Sequence, residues 1–155
     1  MESFYRPATI WEAKELADMW ALTLEEADVT FRSIEGDEFE KLYVSVLHAI
    51  KSPDRFTWVL EVDDKIKGFV SGYIHVLKWG YPDIIGHMDC GYIDPEHRSK
   101  GHCGKLINLF KVWAGDAQAT LLTMETVFDI NSADKWAEKG WKPCQIKYAM
   151  EVENG

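Results

Sequence analysis

The strand-like run Ile84 to Ile93 stops at Asp94-Pro95, and a short segment rich in small and basic residues follows it: Arg98, Ser99, Lys100, Gly101, His102, Cys103, Gly104 and Lys105. Proline removes a ladder donor and ends the strand. Beyond the segment, Leu106, Ile107, Leu109, Phe110 and Trp113 recur at the spacing of one helix face. The chain must therefore build a strand, a loop and a helix in that order, with the loop at the helix N-terminus. The first N–H groups of a helix lack intrahelical partners and its dipole is positive there, so glycines that admit an anion closely make a diphosphate cradle from main chain. Composition agrees: no Asp or Glu occurs from His97 to Gly115, whereas Arg98, Lys100, Lys105 and Lys111 are basic, in a chain of net charge -9. The spacing fits neither the Walker A pattern nor the dinucleotide fingerprint.

The rest of the 155 residues reads as one mixed α/β domain spanning residues 1–155. Arg6 to Ile10 is expected as a first strand. A helix starting near Thr9 carries Leu16, Met19, Trp20, Leu22 and Leu24, and a second carries Phe39, Leu42, Tyr43, Val46, Leu47 and Ile50. Phe56–Val62 and Ile66–Trp79 are strand-like and joined by a turn at Asp63-Asp64-Lys65. After the helix from Gly101 to about Gly115 come a strand at Ala119–Phe128, a short helix at Asn131–Lys139 and a last strand at Gln145–Val152.

Several function classes are disfavoured. No apolar run approaches the roughly 18 residues of a membrane span, and Met1 to Arg6 lacks a signal-peptide pattern, so no membrane partner and a cytoplasmic location are expected. The acidic balance opposes nucleic-acid backbones. Cys90, Cys103 and Cys144 have no disulfide or redox spacing and are expected as free thiols. Strand alternation separates His87 from Cys90, and His97, His102 and Cys103 lie in the loop, so no metal site is expected.

Arg98-x-x-Gly101-x-Cys103 resembles the Arg/Gln-x-x-Gly-x-Gly/Ala loop of the GNAT N-acetyltransferase superfamily. Ile93-Asp94-Pro95 is similar to the Val-x-Pro-like strand end before that loop, and Trp136 to Trp141 looks like the family's aromatic-x-x-x-Gly-Phe helix end. The resemblance covers Ile66 to Val152. It implies a bent, mostly antiparallel sheet of six to seven strands flanked by about four helices and splayed between the fourth and fifth strands. It also implies acetyl-CoA as co-substrate and direct acetyl transfer to an amine in a ternary complex. The cofactor-binding residues it implies are Gly91, Tyr92 and Ile93 on the strand, Arg98 to Lys105 in the loop, and Asn131, which stands closer to Gly140 than the family's usual Asn. A bulge at Gly91 is expected to free a backbone N–H near Cys90 to Ile93 for the thioester carbonyl, with Ile93 holding the pantetheine amide.

An ammonium ion has no lone pair, so the chemistry needs a base. Asp89, four residues before Ile93, stands where many members of the family carry a catalytic Glu. His87 is the second candidate. A two-residue period puts both on one strand face, opposite Met88 and Cys90 unless a bulge intervenes. By resemblance Trp136 occupies the position of a Tyr that protonates the departing thiolate, a task an indole cannot perform. Cys103 is read either as tolerated packing or as a reactive thiol with a lowered pKa at the helix start. Residues 1 to 40 hold eleven Asp and Glu against three Lys and Arg, including Glu25, Glu26, Asp28, Glu35, Asp37 and Glu38. If they border the acceptor site, a cationic amine such as a polyamine, an amino sugar or a protein lysine is the expected acceptor. The alternative is a catalytically weak acyl-CoA-binding module that acts through a partner protein. A homodimer is compatible with either.

Overall fold

The computed structural model describes residues 2–26, 36–76, 83–124 and 133–142. In chain order these form β1 (Ser3–Pro7), a 3-10 turn (Ile10–Glu12), α1 (Ala13–Glu26), α2 (Asp37–Lys51), β2 (Arg55–Val62), β3 (Lys65–Val76), β4 (Ile84–Ile93), a second 3-10 turn (Pro95–His97), α3 (His102–Asp116), β5 (Leu121–Met124) and α4 (Ala133–Glu138). The sheet has the order β1-β2-β3-β4-β5. Its first three pairings are antiparallel, and β4 and β5 run parallel because α3 carries the chain back between them. Five strands stand among the described residues against the six to seven expected; the expected strand Gln145–Val152 lies outside them, as does Asn131.

The first strand begins earlier than its apolar pattern implied. It pairs from Ser3 to Pro7 with β2, and the chain turns at Thr9, whose N–H donates to the Glu12 carboxylate at 2.7 Å. Arg6 fixes this corner by reaching the carboxylates of both Glu12 and Glu61. The hairpin between β2 and β3 is tight: Asp63 and Asp64 have φ of 48° and 60°, the left-handed pair that matches the twist of the strands it joins. β5 starts two residues later than expected, after Gln118 takes a left-handed turn at φ 65°.

Each sheet face has its own core. Leu16 and Ala17 of α1 and Val46 of α2 pack on Val59, Phe69 and Cys90. On the other face Leu106, Ile107 and Phe110 of α3 pack on Phe56, Leu60, Val70 and Met88. Two glycines seat α3 close to the sheet. A Cβ on Gly72 would lie 2.6 Å from Phe110 Cε2, and one on Gly86 would lie 2.8 Å from Ala114 Cβ.

The extra residue in β4 is Asp89. Ser71 opposes Cys90 and Gly72 opposes Met88, so Asp89 bulges from the ladder. The bulge expected at Gly91 is thus displaced by two residues. Gly91 stays in register with Val70, and a Cβ there would meet only ordinary contacts, the nearest at 3.4 Å. The bulge also reverses the expected alternation, sending Met88 to the α3 core and Cys90 to the α1/α2 core.

Candidate active site

The segment from Arg98 to Lys105 forms the loop that leads into α3. Ser99 and Gly101 take left-handed backbone at φ 62° and 82°, and α3 starts at His102. Arg98 N–H donates to Pro95 O at 3.3 Å, and the next amide to find a backbone acceptor is Lys105 N–H, at Gly101 O. No backbone carbonyl among the described residues accepts from the N–H groups of Ser99, Lys100, Gly101, His102, Cys103 or Gly104. A Cβ on Gly101 or Gly104 would meet nothing within 4 Å, so packing against the protein demands neither glycine. Open space and unspent amides at a positive helix end suit a diphosphate.

Side chains around the loop are already engaged. Arg98 donates from Nε to Ile93 O at 2.7 Å, grips both Glu26 carboxylate oxygens at 3.0 Å from Nη2, and lies over the Tyr92 ring. His102 Nδ1 pairs with the Tyr5 hydroxyl at 2.7 Å. Burial, Lys105, His97 and Lys100 together push His102 below the usual histidine range. Cys103 is packed with the α3 core, and burial pushes its thiol up, which overturns the reactive-thiol reading. The Cys90 thiol is likewise pushed well up by burial and by Asp89.

Beside the cradle the sheet opens. β5 pairs with β4 from Ile85 to Met88, and among the described residues nothing pairs with that edge of β4 beyond the bulge. Asp94 N–H donates to Lys67 O at 2.8 Å, which makes Gly68 and Ile93 a non-hydrogen-bonded pair. Alternation then turns the N–H and C=O of Ile93 and Gly91 away from β3, toward the edge that β5 has left. The Ile93 carbonyl is taken by Arg98. Gly91 N–H, Gly91 C=O and Ile93 N–H remain there, whereas the main chain of Tyr92 is spent on Phe69.

The face toward α1 and α2 carries a polar row where an apolar core would be expected. In register across four strands stand Arg55, Tyr73, His87 and Thr123. Arg55 Cζ lies 5.1 Å from the centre of the Tyr73 ring, Tyr73 and His87 meet edge to face at 5.3 Å, and His87 Nδ1 hydrogen-bonds Thr123 Oγ1 at 2.7 Å. His75 sits within ring contact of both Tyr73 and His87. Behind the row, Arg55 Nη2 donates to Ser71 Oγ at 3.1 Å and to Asp89 Oδ2 at 2.6 Å. Asp89 Oδ1 and Arg55 Nε are buried without a hydrogen-bond partner. The pair forms one end of an open cleft of about 680 Å³, walled by Trp20, Val44, Ser45, His48, Ala49 and Ser52.

Asp89 and His87 therefore share the face expected of them, in different surroundings. Asp89 is committed to Arg55, and His87 is oriented by Thr123. The acidic N-terminal residues are less available than their number implied, since Glu26 is bound to Arg98; Asp28 and Glu35 lie outside the described residues. Trp136 packs with the α3 core and stands edge to face with Trp141. Sequence reasoning missed Arg55, Tyr73, His75, Thr123 and His48. The available signal was parity: Arg55 and Thr57 precede Val59 at two-residue steps, and Tyr73 and His75 follow Phe69, so polar groups occupy positions that point inward.

Among the described residues, an unpaired edge of β4 thus stands beside a run of unspent amides at a helix N-terminus. Residues 16–139 match the Acetyltransferase (GNAT) family, and the chain belongs to it. Its fold is similar to that of a predicted acetyltransferase with acetyl-CoA from Clostridium acetobutylicum, with a TM-score of 0.79 and 12% identity over 97% of this chain and 96% of that one. It is also similar to a possible acetyltransferase from Clostridium difficile 630, with a TM-score of 0.76 and 17% identity over 99% and 100%. A third similar structure is glucosamine-6-phosphate N-acetyltransferase from Arabidopsis thaliana, with a TM-score of 0.70 and 14% identity over 99% and 100%. No curated protein sequence matches the chain. Acetyl-CoA is the co-substrate consistent with this family and with the cradle.

Proposed function

We propose that this protein transfers the acetyl group of acetyl-CoA to a primary amine by direct attack within a ternary complex. The observation that carries this reading is the run of unspent amides from Ser99 to Gly104 beside the free edge of β4. Acetyl-CoA supplies the acyl group as a thioester. The cradle holds its diphosphate, and Gly91 and Ile93 offer main-chain groups to the arm that reaches toward the bulge. An N–H at that edge meets the negative charge that develops on the carbonyl oxygen.

His87 is the base in this reading. Its bond with Thr123 fixes the ring, and with Nδ1–H donating to Oγ1, Nε2 becomes the basic nitrogen that takes the amine's proton. Asp89 has one oxygen in the Arg55 ion pair and the other buried, so it positions Arg55. Trp136 donates no proton, and the thiolate leaves without a side-chain acid from that position.

Calorimetric titration with acetyl-CoA tests the cradle, with Gly104→Asp as the diagnostic variant. A carboxylate in the first turn of α3 favours the helix dipole, and a Cβ at Gly104 meets nothing, so the fold should hold. Acetyl-CoA affinity should nevertheless fall by about 100-fold or more, because negative charge then faces the diphosphate. Unchanged affinity would place the diphosphate elsewhere. Tight binding with no turnover over a broad panel of amines would favour the binding module.

A further inference from the structure

We propose that the acceptor carries an anionic group, a carboxylate or a phosphate, several bonds from its amine, and that Arg55 and His48 receive it in the cleft between α2 and the sheet. This rests on the acetyltransferase reading and narrows its substrate class. It also reverses the cationic acceptor that the acidic N-terminal composition suggested.

Trp20, Val44 and Ala49 supply apolar lining, and Arg55, Asp89 and His48 supply the ionisable groups. Asp89 is paired with Arg55: Oδ2 accepts from Nη2 at 2.6 Å and Oδ1 is buried, so the negative charge of the carboxylate is offset by the guanidinium beside it. Among the described residues of the lining, an ammonium group would meet a carboxylate whose charge Arg55 already balances. Arg55 is different. Its Nη2 is spent on Ser71 and Asp89 and its Nε is buried, but Nη1 is not buried and has no partner among the described residues. The Arg55 side chain is 23% exposed, into a cleft it lines. A guanidinium with one nitrogen on a carboxylate can still donate from the other to a second anion, in a way that lysine, a point charge, cannot reproduce. His48, exposed on the α2 wall, adds a second donor in the same cleft.

Spacing sets the ligand's length. Arg55 and His87 lie two strands apart on the same cross-strand row, which is roughly 10 Å at the usual strand spacing. An amine at His87 and an anion at Arg55 are then separated by a chain of about four to six atoms, not adjacent as in an α-amino acid. The cleft of about 680 Å³, which Arg55 and His48 line and His87 does not, takes the anionic end of such a molecule.

The test compares matched acceptors at saturating acetyl-CoA: 6-aminohexanoate, 4-aminobutyl phosphate, hexylamine and 1,6-diaminohexane. The wild-type protein should favour one of the anionic pair over both others by about tenfold or more in kcat/KM, and the better of the two distinguishes carboxylate from phosphate. In Arg55→Lys, which keeps a cation beside Asp89, and in His48→Gln on the exposed helix face, that ratio should fall toward one, chiefly through KM. Equal use of hexylamine or the diamine by the wild type, or an unchanged ratio in Arg55→Lys, would overturn the proposal.

A readout without turnover separates this idea from the reading beneath it. Titrating 15N-labelled protein with 6-acetamidohexanoate should shift the His48 and Arg55 side-chain resonances, whereas N-hexylacetamide should not. Absence of that shift counts against the anion site even in a protein that binds acetyl-CoA. Its presence in a protein with no turnover would leave the anion site standing and remove the transferase reading.

Discussion

In the proposed site, the groups offered to a ligand at the start of α3 are main-chain amides of consecutive residues, whereas on the floor under α2 they are side chains gathered from four strands. The difference decides how each region responds to mutation. A main-chain cradle loses nothing when a side chain is trimmed and fails only when something is added to it. The floor fails when any one member is removed, because each holds the next.

The largest expected break is on the floor. His87→Gln should lower kcat by about 10²- to 10⁴-fold, the range ascribed to a positioned base, with acetyl-CoA affinity kept. It should also remove the acidic limb of the pH–rate profile. Retention of that limb would assign it to another group and sink the role given to His87.

Asp89→Asn should act through Arg55. Loss of the ion pair leaves a partly buried guanidinium short of its partner, so kcat/KM for an anionic acceptor should fall by about tenfold, with a lower Tm. A base at this position would instead leave KM alone and abolish the pH dependence, so the split between KM and kcat discriminates the two roles.

Away from both regions, Arg6, Glu12 and Glu61 lock β1 to the sheet. Burial pushes the Glu12 carboxyl up, but hydrogen bonds from Arg6 and from the Thr9 amide outweigh it and hold the group below the usual carboxylate range. The folded protein therefore binds this proton more weakly than the unfolded chain does. The stabilisation is full above the ordinary carboxylate value and is lost as pH falls through the lowered one. Wild type and Glu12→Gln should differ in Tm at pH 7 and converge as pH falls below the usual carboxylate range; a constant gap would show that charge at Glu12 is not the cause. Acetyl-CoA affinity should be equal in the two proteins at neutral pH.

The smallest effect is expected in the cradle. Cys103→Ala and Ser99→Ala should each leave acetyl-CoA affinity within about twofold, since only their N–H groups face the ligand. Alkylation of native Cys103 should be slow at pH 7.5, given a thiol pushed up by burial.

This contrast also explains what was legible in the sequence. The cradle is local: strand, proline, glycines and helix lie within some thirty residues, and each signal acts on its neighbours, so Ile84–Ile93 and the helix after Gly101 stand where the pattern put them. The floor is not local. Nothing in the sequence states that Arg55 opposes Tyr73 or that Tyr73 opposes His87, because register is fixed by hairpins and by burial of the opposite face. The bulge was misplaced for a related reason. Glycine marks where backbone has freedom, but at Gly91 a Cβ would be accommodated, while the insertion fell on Asp89, whose carboxylate is met by Arg55.

One extra residue in β4 thus acts as a phase shifter. Up to Met88 the ribbon runs in step with its neighbours; past Asp89 the parity is inverted, and the same strand feeds both cores with Met88 on one side and Cys90 on the other. Removing that residue would do more than delete a carboxylate. It would rotate the ends of β4 relative to each other, swinging the Gly91 and Ile93 amides onto β3 and presenting those of Cys90 and Tyr92 at the free edge in their place.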